Sequence, residues 1–320
     1  MRRRHLPALL LAPALAPAGA RAQGWPQRPV RVIVPFPPGG SNDVMARPLA
    51  EKLQARFGQP FVVENRPGAG GAIGAAQVAQ APADGHTLMV TSSSFAGSAV
   101  VQRTPYDALT DFTPVALLAR SPFIVLTHLN FPPRDIRELI AYARENPGRV
   151  DYGSSGAGSI GHFVTEMLAL AAGLRLNHIP YRGMGPAVTD LVAGHIQLLI
   201  TTIASASGVV RENRVRLLAW TGPGAPPGSP AAPLLREATG LDYEAAIWWG
   251  LLAPRGLPAE ILATLNGAVQ AALADPAIAR LYETEGATPA PGPPHAFAAT
   301  LAADIARFRA VAQAAGIRGE

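Results

Sequence analysis

Three short stretches carry most of the polar chemistry that this sequence offers. They are Pro35 to Asp43 (PFPPGGSND), Gly153 to His162 (GSSGAGSIGH) and Pro180 to Pro186 (PYRGMGP). Each is dense in Gly, Ser or Pro, follows an apolar or β-branched run, and precedes a segment with helical spacing. A strand-to-helix loop of this kind leaves backbone N–H groups free to point at an anion that also meets the positive end of a helix dipole. The chemistry on offer is anion capture. The middle stretch contains Gly156-Ala157-Gly158-Ser159-Ile160-Gly161, a literal G-x-G-x-x-G. A dinucleotide site would also place an acid about 20 residues further on, at the end of the next strand. That region reads Ile179-Pro180-Tyr181-Arg182, so a nicotinamide cofactor is not expected.

Catalytic sets are scarce. The chain has no cysteine, which removes thiolate nucleophiles and thiolate metal sites, and no G-x-S-x-G. Lys52 is its one lysine, so no Ser-x-x-Lys arises, and no two histidines have metal-binding spacing. His86, His128, His178, His195 and His295 read as surface or packing residues. His162 stands apart because it falls in the first turn of a helix beside the middle loop, where it can touch a ligand or orient the loop. With Ser154 or Ser159 it would also be the base of a hydrolase, but no orienting acid is evident. Asp43 reads equally well as a ligand contact or as a first-turn acid matched to its helix dipole.

The elements that must position these loops repeat a β-loop-α grammar. Val30 to Val34 is a strand, Ser41-Asn42-Asp43 supplies N-cap chemistry, and Val44, Leu49, Leu53 and Phe57 share one helix face that stops at Gly58. Pro48 inside this pattern predicts an irregular first turn or a restart. Phe61 to Glu64 and Thr87 to Thr91 are further strands, with a small-residue helix ending near Ala81 between them. The grammar resumes after residue 125, with helices at Asp135 to Asn146, Ile160 to Ala172 and Pro186 to Gly194. Strands follow at Val150 to Tyr152, Leu176 to Ile179, Ile196 to Ile200 and Val215 to Trp220. Repeated β-α units call for parallel sheets covered by helices. Thr113 to Leu126 reads as a crossing between two such units and Trp248 to Pro254 as the return. The Ala-rich helices from Pro258 to Gly316 would pack back on the first unit. Leu191 to Val210 has no formal charge, but its Gly, His, Gln, Thr and Ser residues read as a helix end, turn, strand and loop, not a membrane span.

A length of 320 residues suits two domains. Hydrophobic residues at 48% and charged residues at 15% exclude a charge-driven disordered chain. Arg2-Arg3-Arg4, the uncharged stretch Leu6 to Ala20, and Ala20-Arg21-Ala22 form a secretory signal peptide over residues 1–22, cut before Gln23. The general secretory route is expected over the twin-arginine route, and a periplasmic location follows. Four of the 27 basic residues leave with that segment against 22 acids, so the net charge falls from +5 to +1. So small an excess gives no support to nucleic-acid binding.

The chain resembles the Bug family, the substrate-binding proteins of tripartite tricarboxylate transporters, over essentially the whole mature length. The matching segments are Trp25-Pro26 with Pro29-Val30, Pro35 to Asp43, Val63 to Gly71, and Ala83 to Leu88. Pro105-Tyr106-Asp107, Asp111 to Val115, Tyr152 to Ser159 and His178 to Gly183 follow. Pro186-Ala187 with Asp190-Leu191 and Trp249-Gly250-Leu251 with Ala253-Pro254 complete the series. No one of these motifs is decisive, but ten in order are highly specific.

The resemblance implies an α/β bilobal periplasmic binding protein (type II), with two parallel-type sheets flanked by helices and a ligand cleft between lobes. It implies lobe I over 23–124 and 248–320, and lobe II over 125–247. A small carboxylate would be held by loop N–H groups and bridging waters, with no cofactor, no metal and no catalysis. Phe36, Pro38, Gly39, Gly40, Ser41 and Asp43, with the serines after the third strand, Ser92, Ser93 and Ser94, would form the near lobe's share. Ser154, Ser155, Gly158, Ser159, His162, Tyr181, Arg182, Gly183 and Thr201 would form the far lobe's share. Family members commonly carry an acid or amide where Thr201-Thr202 stand, so the ligand is expected to be a simple carboxylate and not an amino acid. Expected partners are the large and small membrane subunits of a transporter, or a sensor protein, with the receptor itself a monomer.

Overall fold

The computed structural model describes residues 24–284 and 286–318, so the expected signal segment and its cut before Gln23 lie outside the described residues. The first unit alternates β1 (Val30–Val34), α1 (Ser41–Phe57), β2 (Phe61–Asn65), α2 (Ala72–Ala79), β3 (Thr87–Ser92) and α3 (Ser94–Val101). β1 lies parallel between β2 and β3. All six residues of β3 are buried, as a strand covered on both faces requires.

β4 (Phe112–Pro122) and β5 (Ile124–His128) then follow with Phe123 alone between them, although they belong to different sheets. The second unit contains α4 (Ile136–Glu145), β6 (Asp151–Ser154), α5 (Ile160–Ala172), β7 (Asn177–Pro180) and α6 (Met184–Ala193). It continues with β8 (Leu198–Thr201), α7 (Ile203–Arg211), β9 (Val215–Trp220) and α8 (Leu235–Thr239). β10 (Ala246–Pro254) returns to the first sheet, and α9 (Ala259–Leu273), α10 (Pro276–Thr284), β11 (Thr288–Pro289) and α11 (Pro294–Ala315) complete the chain. The sheet orders are β11-β4-β10-β3-β1-β2 and β7-β6-β8-β5-β9.

The two sheets are mixed, which corrects the expectation of parallel-type sheets. β10 runs antiparallel to both β3 and β4, and β5 antiparallel to both β8 and β9. These strands arrive from the other lobe and not through a crossover helix, so nothing forces them parallel. At the junction Thr221 Oγ1 accepts from the Phe123 N–H (2.9 Å) and donates to Ala245 O (2.7 Å), tying the outgoing and returning chain together.

Local differences have physical reasons. α1 runs unbroken through Pro48 because Met45, Leu49 and Leu53 are buried around it, and that packing outweighs one missing hydrogen bond. Its N-cap is Gly40, with Ser41-Asn42-Asp43 already inside the first turn. The stretch after Thr201, expected to be a loop, forms α7. Its Ile203, Ala204, Ala206 and Val210 are buried, so packing overrides its poor helix composition. The C-terminal helices pack on the first unit as expected, through α9 on β4 and α11 on α3 and β4, but α11 also meets α5 of the second unit. Phe163 and Phe308 stack there with ring centroids 4.7 Å apart.

Candidate functional site

A cavity of about 320 Å³ opens where the loops of both units converge. Gly39 to Asn42 line it from the start of α1, Ser94 from α3, and Ile160 and Gly161 from α5. Met184 to Pro186 reach it from α6, with Thr202 and Ser205 from α7. In each helix of this set the first N–H groups have no intrahelical acceptor. Five helix N-termini from two lobes thus surround one small space, and none of its lining residues is charged. Phe36, Phe123, Ile200 and Ile247 supply apolar walls. A compact anion with an apolar body fits such a seat, since aligned dipoles favour negative charge and no acidic side chain opposes it.

A second pocket of about 690 Å³ abuts the first and shares Phe36, Pro37 and Ser155 with it. Arg182 is the one charged residue in its lining. The lobes meet beside it. A Cβ built on Gly183, whose φ is +144°, would lie 3.0 Å from Pro37 Cγ. Across the cavity the Ile160 N–H donates to Ser94 Oγ at 3.1 Å, and Gln102 Nε2 donates to Ala157 O at 3.3 Å. Both bonds join one lobe to the other.

The expected site residues divide into three groups. Phe36, Pro38, Gly39, Gly40, Ser41, Ser92, Ser155 and Thr201 line the first cavity, and Tyr181 and Arg182 the second. Asp43, Ser93, Ser154, Gly158, Ser159, His162 and Gly183 line neither. Asp43 braces the first loop. Its carboxylate accepts from the Gly39 N–H (3.0 Å), Arg47 (2.8 and 2.9 Å) and Asn65 (3.0 Å), while Asn65 also donates to Phe36 O. Burial alone would raise the Asp43 pKa, but these bonds hold it below its ordinary value. The Tyr181 hydroxyl donates to Asp190 at 2.7 Å, and burial together with that carboxylate pushes its pKa up to about 12.

Behind the middle loop lies a cluster missed in the sequence. His178, read there as packing or surface, faces Tyr152 across the β6–β7 register and stacks on His162 with centroids 3.8 Å apart. His178 Nε2 bonds Ser154 Oγ at 2.6 Å, and the Gly158 N–H donates to His162 Nδ1 at 3.2 Å. Burial lowers His162 to about 3, helped by His178, and His178 to about 4, so both rings are uncharged. The Tyr152 hydroxyl donates to Glu166 at 2.6 Å, and burial raises the Glu166 carboxyl. Ser94, expected with Ser92 and Ser93, lines the cavity too, and Asn42, Phe123, Gly161, Met184, Ser205 and Ile247 also line it without having been singled out. Of these only Asn42, Gly161 and Met184 carried a signal, as members of the three loops. Among the described residues no group of three His, Cys, Asp or Glu could hold a metal ion.

Two α/β lobes with a cavity at their seam, walled by helix N-termini from both sides, define a bilobal solute-binding protein. Residues 45–317 match the family described as tripartite tricarboxylate transporter family receptor, TctC, and the chain belongs to that family, in which the Bug proteins fall. It is 36% identical to protein BugT of Bordetella pertussis over 313 residues, 97% of this chain and 96% of that protein. It is similar to R. palustris Rpa4515, solved with adipate, at a TM-score of 0.88 and 37% identity, covering 92% of this chain and 99% of that one. MatC from Rhodopseudomonas palustris, solved with bound malate, matches at a TM-score of 0.84 and 33% identity, covering 90% and 99%.

Proposed function

We propose that this protein is the periplasmic receptor of a tripartite tricarboxylate-type transporter, capturing a small organic carboxylate between its lobes and delivering it to the membrane subunits. The observation that carries this reading is the uncharged cavity ringed by the N-termini of α1, α3, α5, α6 and α7. Backbone donors of both lobes reach one ligand only when the lobes are together, so binding selects that arrangement. That two solved relatives hold adipate and malate supports a ligand of the same chemical class here. Residues 1–22 would direct export, 23–124 with 248–320 would form lobe I, and 125–247 lobe II. The absence of an acid at Thr201-Thr202 favours a simple acid over an amino acid.

The protein captures and does not turn over its ligand. Ser154, whose hydroxyl bonds His178, is fully buried and lines neither pocket, and among the described residues no carboxylate is hydrogen-bonded to His178. Thermal-shift and calorimetric titration of residues 23–320 with adipate, malate, citrate, benzoate and glutamate tests the reading. Saturable one-to-one binding of a carboxylate without turnover is expected. No binding to any organic acid in a wide panel overturns it. Co-purification with large and small membrane subunits, as against a sensor protein, identifies the partner.

A further inference from the structure

We propose that the stacked pair His162 and His178 are positioning residues that hold the loop 154–159 in the shape needed to receive the ligand, with His162 Nδ1 as the acceptor that fixes the Gly158 amide. This rests on the reading above that the loop supplies ligand contacts from the far lobe. Ser155, in the middle of the loop, lines both pockets. The residues on either side of it are held from behind. Ser154 Oγ bonds His178 Nε2, accepts the Gly156 N–H at 3.2 Å, and lies 3.0 Å from Gly156 O. Gly158 has φ +76°, and its N–H points back to His162 Nδ1. An amide aimed inward at a ring nitrogen leaves the loop one orientation in which to present its remaining N–H groups.

The pair works because both rings are neutral. The Gly158 N–H needs an unprotonated Nδ1, which puts the His162 ring hydrogen on Nε2. Tyr152 packs to the side of the pair, its centroid 5.0 Å from His178 and 6.2 Å from His162, and its hydroxyl is engaged with Glu166 on α5. Neither a carboxylate nor a cation is bonded to either imidazole among the described residues. The rings therefore act as shaped, uncharged hydrogen-bonding plates, and not as a general base or ligand cation.

Two substitutions separate the acceptor from the packing. His162→Phe keeps an aromatic ring against His178 but has no acceptor, whereas His162→Asn places an amide oxygen near the Nδ1 position. Losing one hydrogen bond to a buried amide corresponds to roughly tenfold. In the ligand-free protein, hydrogen exchange over residues 154–160 is expected to quicken about tenfold in His162→Phe and to stay near wild type in His162→Asn. Affinity for adipate, used as the probe, is expected to follow the same order. Nitrogen-15 spectra of the histidine rings should show His162 as the Nε2–H tautomer. Equal exchange in all three proteins overturns the proposal, as does an Nδ1–H tautomer, or equal losses in both variants. The exchange and ring spectra need no ligand, so they judge this proposal even if adipate and every other acid fail to bind.

Discussion

Ser94→Ala tests whether the lobes of this receptor close on a specific bond. Ser94 is the first residue of α3 in the first unit, 3% exposed, and its Oγ accepts the Ile160 N–H at the start of α5 in the second. That N–H is one of the first-turn donors of α5 with no intrahelical acceptor, so removing the hydroxyl leaves a buried donor unsatisfied. Such a loss costs about 1–3 kcal/mol, and at 1.4 kcal/mol per tenfold the dissociation constant should rise roughly 5- to 140-fold. Neither unit loses an internal bond from this hydroxyl, so melting of the ligand-free protein should change little. Ser98→Ala is the matched control. It lies on the same helix, but its Oγ donates to Gly70 O at 2.7 Å within the first unit, so it should lower the melting temperature and leave affinity nearly unchanged. Calorimetry with the best carboxylate of the panel, alongside calorimetric melting, reads both effects. Ser94→Ala binding within twofold of wild type would refute the reasoning, because the bond between the lobes would then contribute nothing to the bound state.

Two further predictions concern the middle loop. His162 and His178 have folded pKa values near 3 and 4 against an ordinary 6.5, so as pH falls below 6.5 the unfolded chain takes up protons that the folded one refuses. Stability held at pH 7 should therefore drop between pH 6.5 and 5 by ~2 kcal/mol per ring, whereas Asp43 and Glu64, held low by arginines, titrate below that window. Urea melts at pH 7 and pH 5 check this, and an unchanged slope in His162→Phe would count against it. Gly158→Ala would place a methyl 2.1 Å from Val101 Cγ2 of the opposite lobe at φ +76°. Overpacking of about 1–3 kcal/mol, read as weakened binding, is expected; affinity equal to wild type would show that the loop does not approach α3 in the bound state.

How much of this was readable in the sequence depends on whether the determining forces are local. β1, α1, α5 and β9 fall where strand alternation, helical spacing and the stop at Gly58 place them. The direction of β10 and β5 was not readable, since alternation says that a strand is buried and nothing about which neighbour it meets. α7 was hidden because Ser205, Ser207 and Gly208 interrupt a short run of weak helix formers, and its helix is held by Ile203 and Ala206 packing into the second core. Gly40 and Ser94 show the same limit at the site, Ser94 having been named through the resemblance and not through its own pattern. The first loop was visible as a Gly-rich turn, yet Ser94 becomes a wall of the cavity only through the contact of α3 with α5. The histidine pair is the sharpest case. Sixteen positions separate His162 from His178, a spacing that means nothing on a helix or a strand. They meet because β6 and β7 pair with Tyr152 opposite His178, and because α5 doubles back from the loop so that His162 lies over the same strand pair. A site made of backbone donors is positioned by such registers. The anion binding proposed for it can be read from three loops, while the groups that hold those loops still can be read only after the sheet has been assembled.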